Sequence, residues 1–198
     1  MNEAATLPRR RPLVLADLIP DVAPDALLVV GGACLVGLLA QISIHLSFTP
    51  VPITGQTLGV LLSGTALGWR RGLAAMVLYG VAGVAGVPWF AGHASGYVGA
   101  SFGYIIGFAL CAAVCGALAE RGADRRLLGS VPAMVAGEVV MYGVGVTWLA
   151  FYLRVSAGTA ISLGLTPFIV GDAIKAALAA MLLPAAWRLA GSDRARRR

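Results

Sequence analysis

Asp172 and Lys175 stand three residues apart in "TPFIVGDAIKAALAAMLLPAAW", a stretch beginning at Thr166 that is otherwise almost wholly apolar. Lys175 is the only lysine in the chain; every other basic residue is an arginine. On a helix this i,i+3 spacing puts both side chains on one face. An ionised carboxylate only accepts hydrogen bonds and an ammonium only donates them. Side by side they suit a neutral cyclic ligand that presents N–H groups to the acid and a carbonyl or carboxylate oxygen to the ammonium. The same pair also reads as a structural ion pair within its own helix. In a membrane each charge costs about 2.5–3.5 kcal/mol on insertion scales, so the pair must face the interior of a helix bundle and have a partner.

Other polar side chains fall at a similar level. Gln56 opens one apolar stretch, Tyr97 opens another, and Tyr104 follows about two turns later. Trp148 lies near the end of a further stretch, with Tyr152 beside it. Ligand contact and anchoring at the membrane–water interface are both open for Tyr97 and Trp148. His93 is in a loop, to touch a ligand or be solvated; His45 reads as solvated. Glu138 counts to roughly 10 Å from the opposite end of its stretch, with Tyr142 one turn further. That depth leaves Glu138 to pair with an arginine or to face a partner subunit, and separates it too far from Asp172 for the two acids to act together as an intramembrane enzyme. No phosphate-binding loop G-x-x-x-x-G-K-[ST], no H-E-x-x-H and no G-x-S-x-G occurs, so an ATP motor of that type would have to be another protein.

The elements that must hold these residues follow from composition. The chain has 198 residues, 59% hydrophobic and 12% charged, with a mean hydropathy of +0.84. A soluble domain carries about a quarter charged residues. Apolar runs recur at roughly 26–46, 56–69, 72–88, 98–119, 131–153 and 165–188, lengths that suit membrane helices. The 26 glycines suit helices that pack closely in lipid. The expected fold is an all-α integral membrane protein, six transmembrane helices in one bundle, forming a single domain over 1–198. Residues 1–25 form a cytoplasmic or interfacial N-terminal segment and 190–198 a basic cytoplasmic tail.

Thirteen of the fifteen Lys+Arg residues cluster before span one, between spans two and three, between spans four and five, and after span six. Under the positive-inside rule these are cytoplasmic, as are both termini, and the helix count is even. The outer loops "SFTPVPITGQ", "PWFAGHASGY" and "RVSAGTAISLG" hold one charge and are rich in small residues, as lids over a pocket in the outer half would be. The net charge of +6 is explained by this topology signal rather than by nucleic acid, since the arginines have no aromatic interleaving. No cleavable signal peptide is evident in "RRRPLVLADLIPDVAP". Cys34, Cys111 and Cys115 read as small buried hydrophobes, with no metal site around them.

The stretches "PLVLADLIP", "AQISIHLSFTPVPITGQTLGVLLSG", "GVPWFAGHASGYVGASFGYIIGF", "GEVVMYGVGVTWLA" and "LGLTPFIVGDAIKAALAAMLLPAAWRL" occur in order from Pro12 to Leu189. Together they resemble the biotin-specific substrate-binding subunits (S components, the BioY family) of energy-coupling-factor vitamin transporters. The resemblance implies a non-enzymatic protein of a bacterial inner membrane that captures biotin outside and needs no cofactor. Its implied partners are membrane lipid, a transmembrane coupling (T) subunit and two ATP-binding subunits, and not nucleic acid. It assigns Asp172 to the ureido N–H groups and Lys175 to the polar end of the ring system. The family also marks helix one with small residues four apart, here Ala33 and Gly37, where the coupling subunit packs; packing within the same chain explains the spacing equally well. Departures from the family are His93 and the bulky Trp89 in the second outer loop, Phe102 in "ASFGY", and Glu138 where many relatives have an amide. Capture of another vitamin by the same fold (thiamin, riboflavin or a lipoyl-like acid) and a purely structural scaffold are the rival readings.

Overall fold

The computed structural model describes residues 14–18 and 24–196, with side chains as far as 190. Arg9, Arg10, Arg11, Arg197 and Arg198 lie outside the described residues, as do the side chains of Arg194 and Arg196. The described chain is mainly helical: α1 (Asp25–Ala40), α2 (Gln56–Leu67), α3 (Trp69–Val84), α4 (Phe102–Glu120), α5 (Leu127–Leu153), α6 (Ala157–Gly164) and α7 (Ile169–Arg196). A short antiparallel pair, β1 (Ser43–Ile44) and β2 (Ile53–Thr54), joins α1 to α2, with Ser43 opposite Thr54.

The helices are apolar on every face, so burial does not sort their residues by polarity. Leu38, Val139, Phe151 and Val170 point outward and are 64–78% exposed. A water-soluble domain rarely shows so continuous an apolar exterior. The helical stretches Gly99–Glu120, Leu127–Leu153 and Ile169–Ala190 are each long and apolar enough to cross a membrane, and α1 and α2 are shorter apolar helices.

The core forms where small residues let backbones meet. A Cβ on Gly64 of α2 would sit 2.6 Å from the Ala112 Cα of α4. Cys111 and Cys115 of α4 are fully buried thiols, whereas Cys34 of α1, expected to be buried, is exposed. At one end of the bundle α2 turns into α3 through Gly68, whose φ of 84° and ψ of 171° suit glycine. Glu120 Oε1 then accepts the Trp69 N–H at 3.1 Å and caps α3. Nearby Arg71 pairs with Asp17 at 3.0 Å and Asp25 at 2.8 Å, tying the 3-10 turn Leu15–Leu18 and the start of α1 to α3.

Three elements depart from the sequence expectation. α1 ends at Ala40, six residues before the expected limit, because the Gln41 amide turns back to donate to Gly37 O and to Trp89 O in the loop after α3; Pro50 and Pro52 then keep the chain extended. The outer segment read as the loop "RVSAGTAISLG" contains a helix, α6, started by Ser156, whose Oγ accepts the Thr159 N–H. α7 consequently starts at Ile169 rather than 165. The Tyr142–Asp172 contact then sets the first turn of α7 beside the middle of α5.

Candidate ligand site

Four helices (α2, α4, α5 and α7) and the loops that precede α2 and α4 converge on a cavity of about 400 Å³, within the range of small-molecule sites. Asp172 lies in the first turn of α7, where its N–H donates to Phe168 O at 2.8 Å and the helix dipole favours a negative charge. It is 4% exposed. Lys175 Nζ donates to Asp172 Oδ1 at 2.6 Å, and Tyr142 OH on α5 donates to Asp172 Oδ2. Both oxygens of the buried acid are therefore satisfied by donors that also line the cavity. The i,i+3 pair is an ion pair in this structure, and it forms part of a cavity wall.

Gln56, Tyr97 and Tyr104 also line the cavity. Gln56 opens α2, donating Nε2 to Tyr79 OH at 2.6 Å and accepting the Thr54 hydroxyl at 2.8 Å. Tyr79 OH passes its own hydrogen to Trp89 O at 3.3 Å, and Trp89 Nε1 donates to Tyr79 O at 3.0 Å. Gln56 thus fastens the loop after α3, through Tyr79, while facing the cavity. Tyr104 of α4 donates to Gly164 O at 2.7 Å and meets the Tyr142 ring edge-on, 6.2 Å between centroids. Tyr97 is 59% exposed at the cavity mouth.

Two residues read as ligand contacts are placed elsewhere. Trp148 lies behind Tyr97, donating its indole N–H to Gly99 O at 3.0 Å and packing on Phe102. It supports the mouth and is not on the cavity wall. His93 sits on the loop between α3 and α4 with φ +61° and its backbone N–H on Gln41 Oε1, and is likewise off the wall; His45, read as solvated, is on it. Ala33 is fully buried and Gly37 packs beneath Trp89, where an added Cβ would lie 3.2 Å away. In this structure the small pair packs within its own chain, one of the two readings that its spacing allows.

Glu138 also departs from its expected place. Tyr142 is eleven residues, about 16 Å, from the C-terminal end of α5, and it touches Asp172; the late start of α7 brings the acid to that level. Glu138, one turn from Tyr142, lines the same groove between α5 and α7 as Asp172. Counting depth separately along each span missed this, because it took both spans to reach the same outer boundary. Tyr142 and Gln41 were the residues overlooked. The signal for Tyr142 was its aromatic hydroxyl in an otherwise apolar span; Gln41 carried a weaker one as an amide amid apolar residues.

The BioY family pattern matches residues 11–192. The chain is 38% identical over 156 residues to the biotin transporter BioY of Rhizobium etli, a match covering 74% of this chain and 82% of that protein. It is 39% identical over 160 residues to the biotin transporter BioY of Thermotoga maritima, covering 79% and 87%. In fold it is similar to the crystal structure of an S-component for biotin from an ECF-type ABC transporter, with a TM-score of 0.75 at 24% identity over 83% of this chain and 90% of that one. The structural likeness speaks for the fold and the sequence matches for descent, and on the latter the chain belongs to the BioY family.

Proposed function

We propose that this chain is the biotin-binding subunit of an energy-coupling-factor importer in a bacterial inner membrane. Biotin is captured from outside and released inside, with a transmembrane coupling subunit and two ATP-binding subunits supplying the energy. The observation that carries the reading is the Lys175–Asp172–Tyr142 network on the wall of the cavity. A buried carboxylate held in place by two donors is ready to accept the ureido N–H groups, and the ammonium beside it to donate to the ureido carbonyl oxygen. The apolar remainder of the molecule would lie along Ile105, Phe108 and Met141, with its carboxylate toward the mouth near His45 and Tyr97.

Membership of the family, the biotin transporters named among its relatives and the arginine distribution support a six-span arrangement with both termini inside. In it α1 to α5 and α7 are the spans, and α6 is a short outer helix. The site residues are Asp172, Lys175 and Tyr142, with Gln56 and Tyr104 holding the walls. The test is biotin titration of the purified chain in detergent. Biotin binding that Asp172→Asn and Lys175→Ala weaken at least tenfold supports the reading; unchanged affinity in both variants removes the site assignment.

A further inference from the structure

The reading above leaves Glu138 without a use. α5 and α7 run antiparallel, and the Tyr142–Asp172 hydrogen bond fixes their register. One turn from Tyr142 along α5 is Glu138; the same direction along α7 leads from Asp172 to Lys175. At 1.5 Å per residue these steps are about 6 Å and about 4.5 Å, so Glu138 and Lys175 arrive at nearly the same level. Glu138 lines an apolar groove between the two helices together with Tyr142, Asp172 and Ala176. Its Oε1 is buried there and accepts no hydrogen bond from the described residues.

We propose that Glu138 is a positioning residue, the second carboxylate that takes one N–H of the Lys175 ammonium when a ligand replaces it at Asp172, leaving another N–H for the ureido oxygen. This rests on the reading of the cavity as the biotin site. With the cavity empty, Lys175 occupies one oxygen of Asp172 and Tyr142 the other. A ligand bringing its own N–H donors competes for those oxygens with an ammonium only 2.6 Å away. An ammonium displaced into apolar surroundings without a partner is strongly unfavourable. A carboxylate one turn down the neighbouring helix, with an oxygen open to a donor, makes the displacement an exchange of partners. Tyr142 keeps its bond to Asp172 throughout and holds the acid in place for the ligand.

The test is a double-mutant cycle read as biotin affinity in detergent, using the whole chain, Glu138→Gln, Lys175→Met and the pair combined. Glu138→Gln is expected to weaken binding about tenfold, the scale of one lost charge-assisted contact. Lys175→Met is expected to weaken it further, and the double variant to bind no worse than Lys175→Met alone. Glu138→Asp, which keeps the charge on a shorter arm, should recover part of the affinity. Because Lys175 is the only lysine, labelling lysine with nitrogen-15 yields a single ammonium signal. Biotin should shift that signal in the unsubstituted chain, and by less in Glu138→Gln. A purely structural role would instead lower the melting temperature of ligand-free Glu138→Gln and leave the two affinity losses independent. Glu138→Gln binding as tightly as the unsubstituted chain, or losses that multiply in the double variant, overturns the role of Glu138. If Asp172→Asn still weakens binding in that case, the biotin site stands; if the unsubstituted chain binds no biotin, both readings fall.

Discussion

Tyr142 on α5 donates its hydroxyl hydrogen to Asp172 on α7 and, with it, forms part of two walls at once: that of the ligand cavity and that of the lateral groove between the helices. The contact marks the register of the two helices and, with Lys175, holds the acid in place. Replacing Tyr142 with Phe keeps the ring and its edge-on packing against Tyr104 and removes only the donor. Hydrogen bonds to charged groups are worth about 1.5–3 kcal/mol. Tyr142→Phe should therefore weaken biotin binding by about ten- to a hundredfold by calorimetry, with the ligand-free fold retained. Affinity within a factor of two of the unsubstituted chain would mean that Lys175 alone holds Asp172 in position.

Gln56 was legible as a polar residue opening a span, but its partners were not. In the structure its amide joins the Thr54 hydroxyl to Tyr79, and Tyr79 to the backbone of Trp89. Gln56→Leu leaves the buried Tyr79 hydroxyl without its donor and Thr54 without its acceptor, a loss of about 1–3 kcal/mol for each group stranded. The expected result is a lower melting temperature in detergent together with weaker biotin binding, since the loop over the cavity loses its anchor. A change in binding without any change in melting would make Gln56 a ligand contact and not a strut.

The charged pair could be read from sequence because ionised groups inside an apolar helix are too unfavourable to be incidental. The composition and run lengths likewise gave the helical, apolar character of the chain. What periodicity did not carry was where each helix begins in depth. Ser156 capping α6 turns an expected loop into a helix, moves the start of α7 inward, and brings Asp172 level with Tyr142. The loop histidines illustrate the same limit: His45 lies on the cavity wall and His93 off it, and backbone turns decide that, not residue type. Ala33 and Gly37 had a spacing that fits packing against any helix; in the structure Ala33 is buried and Gly37 meets Trp89 of the same chain.

Gly68 and Gly31 make a paired test of which glycines the fold needs. Gly68 turns α2 into α3 at φ 84° and ψ 171°, and a Cβ there would lie 2.7 Å from the Glu120 oxygen that caps Trp69. Gly31 lies inside α1 with nothing within 4 Å of an added Cβ. Gly68→Ala should destabilise the chain by about 1–3 kcal/mol, and Gly31→Ala should leave stability unchanged or improve it, since alanine favours helix. Thermal unfolding in detergent reads both; equal shifts would contradict the capping role of Glu120.

The turn between α4 and α5 supplies a pH dependence. Asp124 is 1% exposed, its Oδ2 accepts Trp187 Nε1 at 2.6 Å, and its Oδ1 is buried without a hydrogen-bond partner among the described residues. Burial pushes this carboxyl above its ordinary value, opposed by the Trp187 hydrogen bond and by the nearby Arg125, whose guanidinium also stacks 4.9 Å from the Trp187 ring. A carboxyl raised on folding is favoured as the neutral acid. Its stabilisation is complete below the unfolded carboxylate value, about 3.9, and is lost as pH rises through the higher folded value. The melting temperature of the unsubstituted chain should therefore fall between acidic and neutral pH relative to Asp124→Asn. The asparagine keeps an acceptor for Trp187 and cannot ionise. Parallel melting profiles across that range would show that Asp124 is already ionised when folded, with Arg125 and Trp187 outweighing its burial.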